Sequence, residues 1–370
     1  MGEATVIILH PPPEGDGPLT TLLHDARDRL AERHARLFAA AGATSVVVDR
    51  RPTVATFGAR LDEIAGSAQG GVALLGAGAV PLLRMADARR LVAAARGTGP
   101  VALTNSRYSS DVLAVGDAGL LRGLRGVLND NVLPRRLAER GVAVAELPGR
   151  DRLAIDLDAP LDLALLALLP SCPRELRDLA AAADLRIPRL AEVRAVAAGP
   201  AAELLVFGRS SSRTLTWLER ETACRVRFLA EERGLRTAPA TQRPARSTLG
   251  LLLAAHGPEA LGSIVADLAD GAILDTRVLI ADRFGRDEGT WPSAEDRFAS
   301  DLLQPGAVAD PWLRALTSSA VEAATPLVLG GHSIVGPGLR WLIGTHTMAA
   351  SSSSSGGPPP SPQPGRATLE

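Results

Sequence analysis

Lysine is missing from this chain: all 40 cationic side chains among its 370 residues are arginine. With 36 glycines, 27 prolines and abundant alanine, that bias reflects a GC-rich coding sequence more than a function. It leaves guanidinium as the one permanently charged cation able to grip a phosphate or carboxylate, which it does in bidentate fashion. Cysteine is nearly missing too. Cys172 and Cys224 stand alone, without CxxC spacing or a matching histidine pair, so no disulfide framework or zinc signature is present and a reducing cytoplasm is the expected setting. Charge of one sign is lacking: the formal net charge is −1, without the basic footprint of a general nucleic-acid binder. No apolar run reaches the roughly 18 residues of a membrane span, and no basic stretch precedes one in Met1–His10. The expectation is a soluble protein with small-molecule partners, no nucleic acid and no membrane.

What is present is alternation. Short apolar runs at 4–9, 45–48, 71–75 and 101–103 are separated by helical patterns within 19–41, 56–67 and 85–96. Apolar strands without polar alternation suit a mostly parallel sheet covered by helices on both faces. The fold class is α/β. Candidate strands follow at 111–115, 142–147 and 152–155, and a helix begins near Ala159 or Pro160 and stops at Pro170. A domain boundary is placed there, giving a first domain over 1–170 and a second α/β or α-rich domain over 174–346. The serine-, glycine- and proline-rich tail, 349–370, has too little apolar surface to order itself.

One segment carries recognisable chemistry. Ala154-Ile-Asp-Leu-Asp-Ala-Pro-Leu-Asp-Leu163 puts Asp156 and Asp158 two apart at a strand end, so both carboxylates leave the same side of an extended chain. Paired carboxylates aimed one way suit magnesium, which takes hard oxygen ligands and commonly shares them with substrate phosphates. An alternative reading of the same residues has Asp158 capping the helix with Asp162 in its first turn. The segment resembles the Asp-x-Asp-x-Pro-x-Asp-Leu stretch that closes the nucleotidyltransferase fold of the guanylyltransferases of molybdenum-cofactor and phospholactate biosynthesis. Three more stretches follow that family's order over most of 1–170. Gly76-Ala-Gly-Ala-Val-Pro-Leu82 stands where the family carries Gly-Asp-x-Pro-Leu, Thr104-Asn-Ser-Arg107 where it has a substrate loop, and Asn129-Asp-Asn-Val-Leu-Pro-Arg-Arg-Leu137 where a substrate-side segment leads into a helix.

The resemblance implies an enzyme transferring a nucleoside monophosphate from a nucleoside triphosphate to a phosphorylated or carboxylated small acceptor, with Mg2+ on Asp156 and Asp158. It implies Gly76, Gly78, Thr104, Asn105 and Ser106 as substrate-side residues and Arg107 as a phosphate neutraliser. Two departures matter. Small residues fill Gly76–Ala79 where the family has a metal-holding acid, and His10-Pro-Pro-Pro-Glu-Gly-Asp-Gly17 replaces a Gly-rich triphosphate loop, its prolines removing backbone donors. A second acid near Asp156 and Asp158, such as Asp111 or Asp16, would restore the clamp. Without one, the chain reads as a catalytically degenerate nucleotide- or ligand-binding, regulatory protein.

In the second half, Leu205-Val-Phe-Gly-Arg-Ser-Ser-Ser-Arg-Thr214 offers a strand, a glycine turn and a serine-rich helix start. Gly208, Arg209, Ser210 and Arg213 there are a candidate anion site, against ordinary serine capping with solvated arginines. His332, after a second strand and glycine pair, is a candidate acid or base against a plain turn. Either could give the second half an activity of its own. His24 and Asp28, one helical turn apart, read as surface residues.

Overall fold

A computed structural model describes residues 2–13, 15–52, 56–124, 126–127, 129–235 and 243–344; the tail expected to lack order, 349–370, lies outside them. The chain is α/β. Its first half forms strands β1 (Ala4–Leu9), β2 (Ser45–Asp49), β3 (Gly71–Gly76), β4 (Ala102–Thr104), β5 (Val112–Val115) and β6 (Val144–Glu146). Helices α1 (Pro18–Ala40), α2 (Phe57–Ser67), α3 (Met85–Ala95), α4 (Leu133–Glu139) and α5 (Pro160–Ala167) lie between and after them. The six strands make one sheet in the order β2-β1-β3-β5-β4-β6. All pairs are parallel except those of β5, which runs antiparallel to both β3 and β4.

The apolar strands are buried because both faces are covered. Leu30-side helix residues Ala31 and Phe38 pack with α3 against Val6, Ile8 and Ala73, while Leu61, Ile64, Leu133 and Leu137 of α2 and α4 cover Leu74, Leu113 and Val115. The strand expected at 152–155 does not form. Gly149, at φ 86°, turns the chain, and the amides of Arg152 and Leu153 are spent on its carbonyl at 3.0 and 3.2 Å, which leaves none of the periodic pairing a ladder needs.

The second half forms α6 (Arg174–Ala182), α7 (Leu190–Ala198), β7 (Glu203–Gly208), α8 (Ser212–Glu221), β8 (Arg225–Ala230), α9 (Thr248–His256) and α10 (Leu261–Leu268). Then come β9 (Gly271–Asp275), α11 (Thr276–Phe284), α12 (Ala294–Asp301), α13 (Pro311–Glu322), β10 (Leu327–Gly330), α14 (His332–Val335) and α15 (Leu339–Ile343). Its four strands form a parallel sheet in the order β10-β9-β7-β8. Among the described residues no single helix is long and apolar enough to cross a membrane.

One apolar cluster belongs to both halves. Leu23, Ala26 and Leu30 of α1 and nearly every side chain of α5 pack with Leu204, Val206, Ile273 and Val328 of the second sheet and with Phe298 of α12. Burying a leucine-sized side chain contributes roughly 1.5–3 kcal/mol, so this shared layer outweighs any single polar contact across it. Polar contacts reinforce it at the rim. Glu295 accepts hydrogen bonds from the amides of Leu19 and Thr20 at 3.0 and 2.9 Å and from the Thr20 hydroxyl at 2.8 Å. Helix α1 begins at Gly17-Pro18 with no capping side chain of its own, so its exposed amides are satisfied from the other half of the chain. A Cβ on Gly17 would stand 2.2 Å from the Glu295 carboxylate, which is why glycine suits that position.

Candidate active site

The edge of the first sheet where β1 and β3 end, and where β5 begins, opens into a cleft of about 470 Å³. Ligands favour this edge in open α/β sheets. The first half supplies His10 and the prolines that follow it, Gly76 to Ala79, and the carboxylates Asp111, Asp130, Asp156 and Asp158. The second half closes the opposite wall with Glu288, Ala294, Arg297 and Phe298.

The segment bearing Asp156 and Asp158 is held without a strand ladder. Leu157 donates its amide to the Gly78 carbonyl at 2.9 Å and accepts from Arg27 Nε at 2.8 Å. Asp162 accepts from the amides of Asp158 and Ala159 at 2.9 and 2.7 Å, so the residue that caps α5 is Asp162 from within its first turn. Asp158 is thereby released from capping; its half-exposed carboxylate lies 3.5 Å from Arg27 at the cleft. Gly78 packs so tightly on this segment that a Cβ would come within 2.9 Å of the Leu157 carbonyl.

Asp156 and Asp111 stand close enough at the cleft for each to act on the other's protonation. Burial, and then the Asp111 and Asp158 carboxylates, push Asp156 well above the usual carboxylate range. Burial pushes Asp111 up to about 7, with Asp130 and Asp158 adding to the effect and the bond from Asn105 opposing it. Asp156 Oδ1 is sealed from solvent and takes no hydrogen bond from an N–H or hydroxyl donor.

Asp111, which immediately precedes β5, is the acid that stands beside Asp156 in the cleft, outside the Gly76–Ala79 loop. Among the described residues no three His, Cys, Asp or Glu side chains form a ready metal cage. A magnesium ion here would need only one or two of the cleft carboxylates, with phosphate oxygens and water completing its shell.

Thr104, Asn105 and Ser106 are buried under the cleft rather than lining it. Asn105 Nδ2 donates to Asp111 Oδ2 at 2.6 Å and to the Leu153 carbonyl at 2.8 Å, and its Oδ1 accepts from the amides of Asp111 and Val112 at 3.0 and 3.3 Å. Thr104 donates to Ser110 Oγ at 2.9 Å, and Ser106 Oγ accepts from the amides of Tyr108 and Ser109. These residues shape the loop that delivers Asp111. Arg107 points to the β6 edge, where it donates to the Val144 carbonyl and its amide meets Glu146. Gly76 and Gly78 do line the cleft.

The candidate anion site of the second half is internally satisfied. Arg209 makes a bidentate pair with buried Asp275 at 2.6 and 3.1 Å, Arg213 pairs with Asp151 at 3.0 Å, and Ser210 donates to the Val335 carbonyl. Gly208, at φ 126°, lies against Asp275, with no room for a Cβ. His332 is exposed at the start of α14, just after β10.

Sequence alone gave no sign of Arg297 or Phe298 in the cleft wall, since nothing local ties them to a loop almost 300 residues earlier. His10 stacks on His24 with ring centroids 4.5 Å apart and lies 3.3 Å from Asp28, so the pair expected at the surface of α1 packs against the loop after β1. Burial, with His24 and Arg50 nearby, lowers His10 to about 4 and keeps it neutral.

No family model and no curated protein matches the chain.

Proposed function

We propose that the chain is a nucleotidyltransferase-like enzyme, with the nucleotide-diphospho-sugar transferase type of fold in its first half, that moves a nucleoside monophosphate from a nucleoside triphosphate to a phosphorylated or carboxylated small molecule. The observation that carries the reading is the Asp111–Asp156 carboxyl pair beside Asp158 and Asp130, at the sheet edge where the motif order of residues 1–170 implies a metal and phosphates. The cleft volume is in the range of small-ligand sites. Bound magnesium would offset the negative charge of the phosphates there, with Asp156 and Asp111 as its holders and Asp158 near enough to take part.

The remaining chemistry asks for positioning and charge control more than for a base. An acceptor phosphate or carboxylate is already anionic at neutral pH, so its oxygen attacks the α-phosphorus directly. The bond from that phosphorus to the bridging oxygen breaks and pyrophosphate leaves with the electron pair. Arg27 and Arg297 bring positive charge to the same cleft, and Phe298 and Leu23 give it an apolar wall.

A second reading, a ligand-binding protein without catalysis, is favoured by one observation. The amides of Leu19 and Thr20, at the head of the helix that follows β1, are already occupied by Glu295, and three prolines precede it, so the described residues of this loop offer no phosphate cradle. Thermal shift with each nucleoside triphosphate, with and without Mg2+, separates the two. The transferase reading expects a Mg2+-dependent rise in Tm, lost in the Asp111→Asn, Asp156→Asn double variant, together with pyrophosphate release when acceptors are supplied. A Tm rise indifferent to Mg2+ and to both substitutions would instead support simple binding.

A further inference from the structure

The segment Ile155–Ala159 carries two of the cleft carboxylates yet belongs to no strand. Its placement rests on Leu157 bonding to Gly78 and Arg27, and on the Asp158 and Ala159 amides bonding to one oxygen of Asp162. Asp162 is itself buried, and its other oxygen, Oδ1, accepts the hydroxyl of Ser333. Ser333 lies in the second half, 171 residues away, in the short helix α14 that follows β10. That segment is seated firmly: a Cβ on Gly330 would come within 2.7 Å of Leu161 in α5, the Thr276 hydroxyl donates to the Gly330 carbonyl at 3.2 Å, and the Ser333 carbonyl accepts the Gly338 amide at 2.8 Å.

We infer that Ser333 is a positioning residue for the cleft of the first half: its hydroxyl fixes the orientation of the Asp162 carboxylate, which in turn fixes the backbone that presents Asp156 and Asp158. An aspartate side chain has a broad terminal torsion, so a carboxylate must be held from both oxygens to hold two amides in register. With Ser333 removed, Asp162 keeps its amide bonds but loses the donor that sets its plane. Groups one shell out from a metal act in this way, orienting ligands without touching the ion, and their loss typically weakens metal affinity about 10–100-fold. The second half thus takes part in the site through α5 as well as through the wall formed by Arg297 and Phe298.

The inference rests on the proposed metal-dependent reading, and the test separates the two. Mn2+ binding to the full chain is followed by electron paramagnetic resonance, with Mn2+ as the probe, in wild type, Ser333→Ala and Ser333→Thr. The expected result is about tenfold weaker binding in Ser333→Ala, alongside the fall in Tm that losing a buried hydrogen bond brings, with wild-type affinity restored in Ser333→Thr because the hydroxyl is kept. A fall in Tm with unchanged affinity would mark Ser333 as structural only and overturn the inference, as would equal losses in both variants. Absence of Mn2+ binding in the wild type would defeat the metal reading itself and this inference with it. If Ser333→Ala does not fold, Ser333→Cys, with a weaker donor of similar size, is expected to show an intermediate affinity, and wild-type affinity in it would count against the role.

Discussion

Asn105 and Asp111 are bonded to each other twice: the Asn105 amide nitrogen donates to Asp111 Oδ2 at 2.6 Å, and the Asp111 backbone amide donates to Asn105 Oδ1 at 3.0 Å. The pair fixes both the side chain and the backbone of the residue that faces Asp156. A buried asparagine with all its groups used is therefore the support of the cleft carboxyl rather than a ligand contact.

Replacing Asn105 with alanine is expected to strand the Asp111 and Val112 amides and the Leu153 carbonyl in the interior. Each unpaired buried group costs about 1–3 kcal/mol, so a loss on the order of 3 kcal/mol is expected in urea unfolding. The same variant should lose the Mg2+-dependent part of any nucleotide-induced Tm shift. Unchanged stability would contradict the bonding described.

Cation binding at the cleft should strengthen as pH rises. Burial holds Asp111 at about 7 and raises Asp156, so a divalent ion must compete with protons for these carboxyls. Mn2+ titrations at pH 6 and pH 8 are expected to show the tighter binding at pH 8. Equal affinity at both would mean that the ion binds elsewhere.

His34 makes the opposite kind of claim, about acid stability. It is fully buried in α1, and burial lowers it to about 3, well under the 6.5 of the unfolded chain. A depressed histidine gives stability that is present above pH 6.5 and is lost as pH falls towards the folded value. Relative to a His34→Leu variant, the wild type should therefore lose about 2 kcal/mol between pH 7.5 and pH 5. Parallel stability curves for the two proteins would refute the assignment.

Glu295→Gln removes the charge from the cap of α1 while keeping its size. The helix head favours an anion, and a cap of this kind is worth about 1 kcal/mol, so a modest fall in Tm is expected. Because α1 and α5 of the first half share an apolar layer with the second sheet, calorimetry should still show one transition. Two separated transitions would mean that the halves unfold independently.

The elements of the first half were legible because each strand is a continuous apolar run closed by a turn, a local signal. Residues 152–155 misled for the same reason: Leu153, Ala154 and Ile155 look like a strand, but Leu153 and Ile155 are buried in apolar clusters outside any ladder, and the positive φ of Gly149 marks the turn before them. The antiparallel setting of β5 left no trace in composition. Helix α11 went unread, since its start at Thr276 follows β9 with no loop between them. At the site, sequence pointed to Asp156, Asp158 and the possible substitute Asp111. It could not show that Thr104, Asn105 and Ser106 turn inward, because small polar residues after a strand suit a binding loop and a buried network equally well. Arg209 is similar: its partner Asp275 lies 66 residues on, at the end of another strand.

The head of α1 waits for Glu295, which follows it by 275 residues. A ribosome that has finished β1, α1 and the whole six-stranded sheet has not yet made the carboxylate that seals the first helix, nor Phe298, nor the strands of the second sheet that cover Leu23 and Leu30. The nascent first half therefore carries a bare apolar face through most of synthesis, and contacts this distant in sequence form slowly. Holdase chaperones or a low growth temperature should raise the soluble yield of the full chain, and a chain cut at residue 170 should gain little from either.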